Sequence, residues 1–208
     1  MELKDCHSNE EWYFSFFLDD LIKNNIVTRY MYESNTFKLS DAKKYVYNKK
    51  LVTKLKPTEL SLLDEHVYTP DFLVEWNTDF NGLFYRYIEN EGYTTKPPFF
   101  AVKSLKNDKP YTFFEVKGIF DRNNMTRLFR INQKWLYDKY KLYVHQVTIP
   151  DLFKHTFTPE RYFKTDSSRQ LRKINFGVKL FDEYYSWLKN QQYVRKGEQS
   201  SDLSIKLF

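Results

Sequence analysis

Two short stretches decide the fold of this chain: Tyr68-Thr69-Pro70-Asp71-Phe72-Leu73-Val74 and Phe113-Phe114-Glu115-Val116-Lys117-Gly118. Both have the apolar composition of a strand, and both carry charge. In the second stretch, the period-2 alternation of a strand puts Glu115 and Lys117 side by side on one face. Burying such charges is costly unless they pair or bind a metal. The pattern therefore predicts an ion pair or a metal site on a largely buried strand.

Asp71 would be another costly buried charge, at the start of the first strand and directly after a proline. If the two strands pair, two carboxylates and one ammonium group converge at one edge. Mg²⁺ usually binds one or two carboxylates and keeps several waters, which leaves room for phosphate oxygens. The metal can lower the pKa of a bound water, while a lysine holds the attacking water or the charge that develops on phosphorus.

The order Pro70-Asp71, then Glu115-Val116-Lys117, resembles the PD-(D/E)XK nuclease superfamily. The fuller wording around each part is most similar to phage-type, TnsA-like and Holliday-junction-resolvase-like endonucleases. The resemblance implies an α/β fold with a restriction-endonuclease-like core, in which helices flank a mixed central sheet. It also implies a Mg²⁺-dependent endodeoxyribonuclease, with Mn²⁺ able to replace Mg²⁺.

The same resemblance assigns roles to individual residues. Asp71 and Glu115 would hold the metal, the Val116 carbonyl would be a further ligand, and Lys117 would position or activate the water. An acidic residue of the first helix often reaches the metal in this family, and a polar residue of a later helix often assists. The matching residues here are Glu11, with Glu10 as the alternative, and Gln133.

Each of these assignments competes with an ordinary structural role. A Glu-x-Lys pair on an exposed strand is usually solvated, and Pro-Asp usually marks a turn. Glu11 stands where a helix-capping carboxylate is common, and Gln133 could be a surface glutamine. The 44 residues that separate Asp71 from Glu115 exceed a simple hairpin and predict an insertion at about 77–110.

The elements around the two stretches follow from local patterns. Ser8 with Glu11 predicts the start of a helix that ends at Asn24-Asn25, and residues 26–32 and 37–39 predict strands. Residues 40–56 are rich in lysine and could form a helix, or an excursion along a phosphate backbone, or a solvated face. Residues 99–102 predict another strand.

After Lys117, residues 125–140 predict a helix and residues 142–149 a strand, which together form a parallel βαβ crossover. We expect Leu128, Phe129, Ile131, Trp135 and Leu136 to be the apolar anchors of this helix. The candidate DNA-binding residues lie on or just before it: Arg122, Arg127, Arg130 and Lys134. A third helix is predicted over 176–188.

The chain has a formal net charge of +6, and many of its 17 Tyr and 19 Phe residues lie among lysine and arginine. This mixture suits DNA as a partner, although an AT-rich genome also enriches these residues. One cysteine excludes an intramolecular disulfide framework. The charged N-terminus and the absence of a long apolar run predict no membrane partner and a cytoplasmic protein, in the host cytoplasm if a phage encodes it.

The resemblance implies a nuclease core over 1–150, and the residues that follow predict a helical C-terminal extension over 151–208. The expected activity is hydrolysis of backbone phosphodiesters in DNA, with branched recombination or replication intermediates as candidate substrates. A phage or mobile-element origin fits, as does a homodimer or a larger nucleoprotein complex. The rival hypotheses are a non-catalytic nucleic-acid-binding or virion-assembly protein on the same fold, and a TnsA-like cutting subunit of a transposition complex.

Overall fold

A mixed six-stranded sheet is the central element of the computed structural model, which describes residues 1–88, 98–104, 108–118, 125–165 and 168–191. The helices are α1 (Asn9–Lys23), α2 (Met125–Tyr140), α3 (Ile149–His155) and α4 (181–191). Short 3-10 turns occupy Leu3–Asp5, Thr78–Phe80 and Glu160–Phe163. The strands are β1 (Val27–Tyr32), β2 (Phe37–Ser40), β3 (Lys43–Lys50), β4 (Leu55–Leu63), β5 (His66–Tyr68), β6 (Phe72–Trp76), β7 (Tyr85–Tyr87), β8 (Phe99–Lys103), β9 (Pro110–Val116), β10 (Val144–Val147), β11 (Lys164–Thr165) and β12 (Ser168–Leu171).

Strand β9 organises the sheet. One edge of β9 pairs antiparallel with β6, with Phe72 opposite Phe114, and β6 pairs in turn with β1. The other edge is shared, because β8 pairs antiparallel with the start of β9 and β10 pairs parallel with its end. Phe72-Leu73-Val74 and Phe113-Phe114-Glu115-Val116 therefore lie on adjacent strands. The parallel β9–α2–β10 crossover is also confirmed, and so is the strand predicted over 99–102.

Helices cover both faces of the sheet because the side chains of β9 alternate between two apolar clusters. Phe114 packs against Phe14 of α1, with ring centroids 5.2 Å apart, and Phe14 also contacts Phe72. Phe113 points to the other face, where it shares a cluster with Phe129 of α2. The chain is thus an α/β protein with a mixed central sheet, as predicted.

Helix α1 begins and ends where the sequence predicts. The Ser8 hydroxyl accepts a hydrogen bond from the Glu11 amide at 3.2 Å, which caps the first turn. The helix ends at Asn24, and Asn25 adopts a positive φ of 59°, a conformation that asparagine tolerates well. The Glu11 side chain does not complete a box with Ser8, since it accepts from the His7 amide instead.

The lysine-rich stretch forms a β-hairpin, so the helical alternative for residues 40–56 is wrong. Strands β3 and β4 pair antiparallel from Lys43↔Leu63 to Lys50↔Leu55, and nearly all of their residues are exposed. The stretch has no apolar stripe at helical spacing, and its Tyr and Val residues have high β propensity. Strand β2 at the base of the hairpin pairs with β5 in a separate two-stranded sheet.

Helix α2 has the predicted bounds, but three of its five expected anchors are exposed. Leu128, Ile131 and Trp135 are 49%, 56% and 39% exposed, whereas Phe129 and Leu136 are buried. The buried stripe includes the polar Asn132, whose side chain bonds His66 of β5. This helix has two neighbouring stripes of residues. The strands pack against the stripe of Phe129, Asn132 and Leu136, although it has fewer apolar residues than the other.

The C-terminal third differs from the prediction in its boundaries. Strand β10 ends at Val147 rather than Ile149, because Pro150 lies in the first turn of α3, where proline is well tolerated. The helix predicted over 176–188 occupies 181–191 instead. Strands β11 and β12 form a small hairpin that the sequence did not predict.

Residues on both sides of position 150 share one apolar core. Phe17 of α1 stacks on Phe157 with ring centroids 4.6 Å apart, and Phe84 contacts Tyr184 of α4. The predicted insertion contributes β7 and β8 to the central sheet, and those two strands pair in parallel. Within the described residues, no helix combines the length and the apolar character needed to span a membrane.

Candidate active site

The register between β6 and β9 sets the geometry of the candidate site. Because Phe72 pairs with Phe114, the residue just before β6 lies opposite the end of β9. That residue is Asp71, and its Oδ2 accepts a hydrogen bond from the Val116 amide at 2.6 Å. The Asp71 carboxylate is thereby fixed beside the Glu115-Val116-Lys117 segment, as the two quoted stretches predict if they pair.

Glu115 is a buried carboxylate with a partner on each oxygen. Its Oε1 forms an ion pair with the Lys117 ammonium at 2.7 Å, and its Oε2 accepts a hydrogen bond from the Tyr68 hydroxyl at 2.8 Å. The ion pair confirms that Glu115 and Lys117 share one face of the strand. Lys117 also donates its backbone amide to Val147 of β10, which ties the end of β9 to the parallel strand.

Negative charge is concentrated around Asp71. The pKa of the Asp71 carboxyl is raised from 3.8 to about 8, first by burial and then by the charges of Glu115 and Glu11, against the lowering effects of the Val116 amide and Lys117. The pKa of Tyr68 is raised for related reasons, first by burial and then by the Glu115 charge. The Tyr68 phenol therefore stays protonated near neutral pH and acts as a donor to Glu115.

The two glutamates of α1 approach this region in different ways. Glu11 is buried, and its Oε2 accepts hydrogen bonds from the Tyr32 hydroxyl at 2.6 Å and the His7 amide at 2.8 Å. Glu10 lies near the end of β9, since its Oε1 is 3.7 Å from the position that a Cβ on Gly118 would occupy. Glu11 acts on Asp71 through its charge, while Glu10 lies beside the residue that follows Lys117.

Gln133 is held away from the carboxylates. Its side-chain amide donates to the Val144 carbonyl of β10 at 2.6 Å, and Val144 lies opposite Phe113, two residues before Glu115. Arg127, Arg130 and Lys134 are exposed on α2, whereas Arg122 lies outside the described residues. The structure thus brings together Asp71, Glu115, Lys117 and the Val116 amide, with Glu10 and Glu11 nearby.

Sequence reasoning missed the tyrosines that orient the carboxylates. Tyr68 belongs to the first quoted stretch, but it lies on β5, which pairs with β2 rather than β9. Nothing in the local pattern shows that its hydroxyl reaches Glu115. Tyr32 lies on β1, and its partner Glu11 is distant in sequence. Only the arrangement of the sheet places these hydroxyl groups.

The donor set fits a hard divalent cation with few protein ligands. Asp71 and Glu115 supply carboxylate oxygens, and the surplus of negative charge at Asp71 favours a cation there. The amide and carbonyl of one strand residue point to the same edge, so the Val116 carbonyl lies on the Asp71 side. In the described part of the chain, no three or more His, Cys, Asp or Glu side chains are arranged to hold a metal. A site with two carboxylates and bound water is consistent with the negative charge at Asp71 and with the absence of a larger ligand cluster in the described residues.

Comparisons with protein-family models, curated proteins and solved structures give no match to this chain.

Proposed function

We propose that the chain is a metal-dependent DNA endonuclease with a restriction-endonuclease-like core. One observation carries the proposal: adjacent strands bring Asp71, Glu115 and Lys117 together in a mostly buried cluster with an excess of carboxylates. Burial of so many charges costs stability, so a fold gains little from them unless they bind or react. The PD-(D/E)XK resemblance drawn from the same residues supports this assignment.

In this proposal Asp71 and Glu115 hold Mg²⁺, with the Val116 carbonyl as a further ligand. A bound Mg²⁺ would supply a water of lowered pKa and stabilise negative charge on the phosphate. The Val116 amide fixes the orientation of Asp71, and the Tyr68 hydroxyl fixes Glu115. These hydrogen bonds preorganise the carboxylates, so that little reorganisation is needed when DNA binds.

Lys117 provides the positive charge of the site. Its ammonium lies on Glu115 at 2.7 Å, within reach of any group that approaches that carboxylate. There it can orient the attacking water or stabilise the developing charge on phosphorus. Glu11 and Glu10 assist by adding negative charge near Asp71 and Gly118. Gln133 would act indirectly, since it holds the backbone of β10.

A second candidate function is a non-catalytic nucleic-acid-binding protein on the same sheet. The observation that favours it is the saturation of Glu115, whose two oxygens already have partners in Tyr68 and Lys117. Such an arrangement could serve stability alone. Metal binding separates the two candidates, because a scaffold does not need Mg²⁺ or Mn²⁺ whereas the nuclease does.

We expect the purified protein to cleave DNA with Mg²⁺ or Mn²⁺ and to lose that activity in EDTA. The measurement follows labelled linear, branched and single-stranded DNA on denaturing gels at equal protein concentration. Preference for a branched substrate would support a role on recombination or replication intermediates. Absence of cleavage on all three substrates, with DNA binding intact, would favour the scaffold function.

A further inference from the structure

The β3–β4 hairpin is an exposed arm with an unusual concentration of positive charge. Residues 43–63 contain six lysines and one glutamate, which accounts for five of the six net positive charges of the whole chain. The rest of the protein is therefore nearly neutral overall. A polyanion would be attracted to this arm far more strongly than to the remaining surface.

The arm also exposes apolar and aromatic groups that a solvated hairpin does not need. Tyr45 and Tyr47 stack on one face with centroids 6.2 Å apart, and Leu60 lies opposite Tyr45. All three side chains are exposed, and Val52 at the turn is fully exposed. Aromatic faces beside lysines suit binding of nucleotides, since each base offers a face for stacking and each phosphate a charge.

The base of the arm is fixed to the body next to the candidate site. The Lys139 ammonium and the Tyr140 hydroxyl of α2 both donate to the Lys38 carbonyl, just before the arm. On the other side His66 bonds Asn132 and stacks on Trp135. Strand β5 then leads to Tyr68, whose hydroxyl holds Glu115. The base of the arm is therefore hydrogen-bonded to α2 on both sides, and β5 connects it to Tyr68 at the carboxylates.

The dimensions of the arm suit a nucleic-acid groove. Strand β3 has eight residues, so it extends roughly 26 Å from its base at about 3.3 Å per residue. A two-stranded ribbon of this kind can enter the major groove of duplex DNA. Lysines occupy both strands near the turn, where Lys49 lies opposite Lys56 and Lys50 opposite Leu55. Nearer the base, Lys44 forms an ion pair with Glu59, the single acidic residue of the arm.

We propose that the β3–β4 hairpin is a DNA-binding arm that contacts backbone phosphates through its lysines and delivers the strand to the Asp71–Glu115 site. The naming of DNA as the partner rests on the proposed function. The binding is independent of sequence, because lysine ammonium groups contact phosphates and not base edges. This proposal assigns most of the affinity for DNA to the arm, rather than to the arginines of α2.

The test is binding of the full chain to fluorescent duplex and single-stranded DNA in EDTA, measured by anisotropy over a series of salt concentrations. The variant Lys49→Gln, Lys50→Gln, Lys56→Gln should lose at least tenfold in affinity at about 100 mM salt. The slope of log affinity against log salt should fall by about 2 to 3, near 0.9 for each phosphate that the variant no longer neutralises. The matched control Lys154→Gln, Lys173→Gln, Lys179→Gln removes three exposed lysines of the C-terminal part and should keep the wild-type slope.

Two results would overturn the proposal. One is an unchanged salt slope in the arm variant. The other is a Tyr45→Ser, Leu60→Ser variant that changes oligomeric state in light scattering and keeps its DNA affinity, which would make the arm a protein interface. Because binding is measured without metal, it is judged separately from catalysis. If the wild-type protein cleaves DNA and the arm variant cleaves it equally well, the proposal for the arm is wrong and the proposed nuclease activity stands. If the wild-type protein does not cleave DNA but binds it through the arm, the proposed nuclease activity is wrong and the proposal for the arm stands.

Discussion

Replacement of Lys117 by alanine is expected to reduce DNA cleavage by about a hundredfold to a thousandfold or more. The ammonium on Glu115 is the cation that the ion pair places at the carboxylates, and removal of one preorganised charge or donor at a reacting phosphate costs about this much. The measurement is the single-turnover cleavage rate with saturating Mg²⁺. Binding of DNA in EDTA should change little, because one lysine among many contributes little to affinity.

The matched control for this variant is Lys103→Ala. Lys103 also lies at the end of a strand of the same sheet, but its ion pair is with the exposed Asp108. We expect this control to cleave at the wild-type rate. Thermal unfolding of both variants checks that Lys117→Ala still folds. If folded Lys117→Ala protein cleaved DNA at the wild-type rate, Lys117 would have no role in the mechanism.

Asp71→Asn is expected to stabilise the metal-free protein near neutral pH while it abolishes cleavage. The folded-state pKa of Asp71 lies near 8 and the ordinary value is 3.8, so the native state binds more protons than the unfolded state between these values. Stability therefore falls as pH rises through that window. Asparagine can still accept the bond from the Val116 amide, and it carries no charge. The pKa shift corresponds to at most about 5 kcal/mol at pH 8, and the weaker hydrogen bond that a neutral amide accepts from Val116 offsets part of it. We expect a net gain of about 1–3 kcal/mol, or roughly 2–4 °C in Tm per kcal/mol.

Glu75→Gln on β6 is the control, and we expect it to change the stability in the opposite direction. Glu75 is as buried as Glu115, but its hydrogen bond and ion pair with Arg29 lower the pKa of the Glu75 carboxyl. A carboxyl with a lowered pKa adds stability above its unfolded pKa and loses it as pH falls. Its neutralisation should therefore destabilise the protein at neutral pH. Thermal melts from pH 4 to about 9 compare the variants, and a Tm of Asp71→Asn at or below wild type at pH 8 would contradict the charge surplus.

The sequence predicts strands β6 and β9 well because their constraint is local. A short apolar strand interrupted by Glu115 and Lys117 has one periodicity, and the ion pair between these residues follows from it. Helix α1 is equally local, since Ser8 and Asn25 mark its two ends. The β9–α2–β10 crossover follows from the order of the elements and the length of the connection.

The remaining features depend on interactions between distant segments. The buried face of α2 includes Asn132 because His66 of β5 lies against it, which no pattern within the helix reveals. The same holds for Tyr68, whose partner Glu115 is 47 residues away. The hairpin over residues 43–63 is open to several interpretations from sequence, because an exposed element has no buried face to give it a periodicity.

The measurement that tests the central claim most directly is Mn²⁺ binding, followed by the loss of the free-ion signal in electron paramagnetic resonance. We predict that the wild-type protein binds Mn²⁺, that Glu115→Gln loses this binding, and that Glu75→Gln keeps it. The two substitutions remove equally buried, ion-paired carboxylates on adjacent strands, of which only Glu115 lies beside Asp71. Equal Mn²⁺ binding by wild type and Glu115→Gln, or no binding by wild type, would contradict a metal site at Asp71 and Glu115.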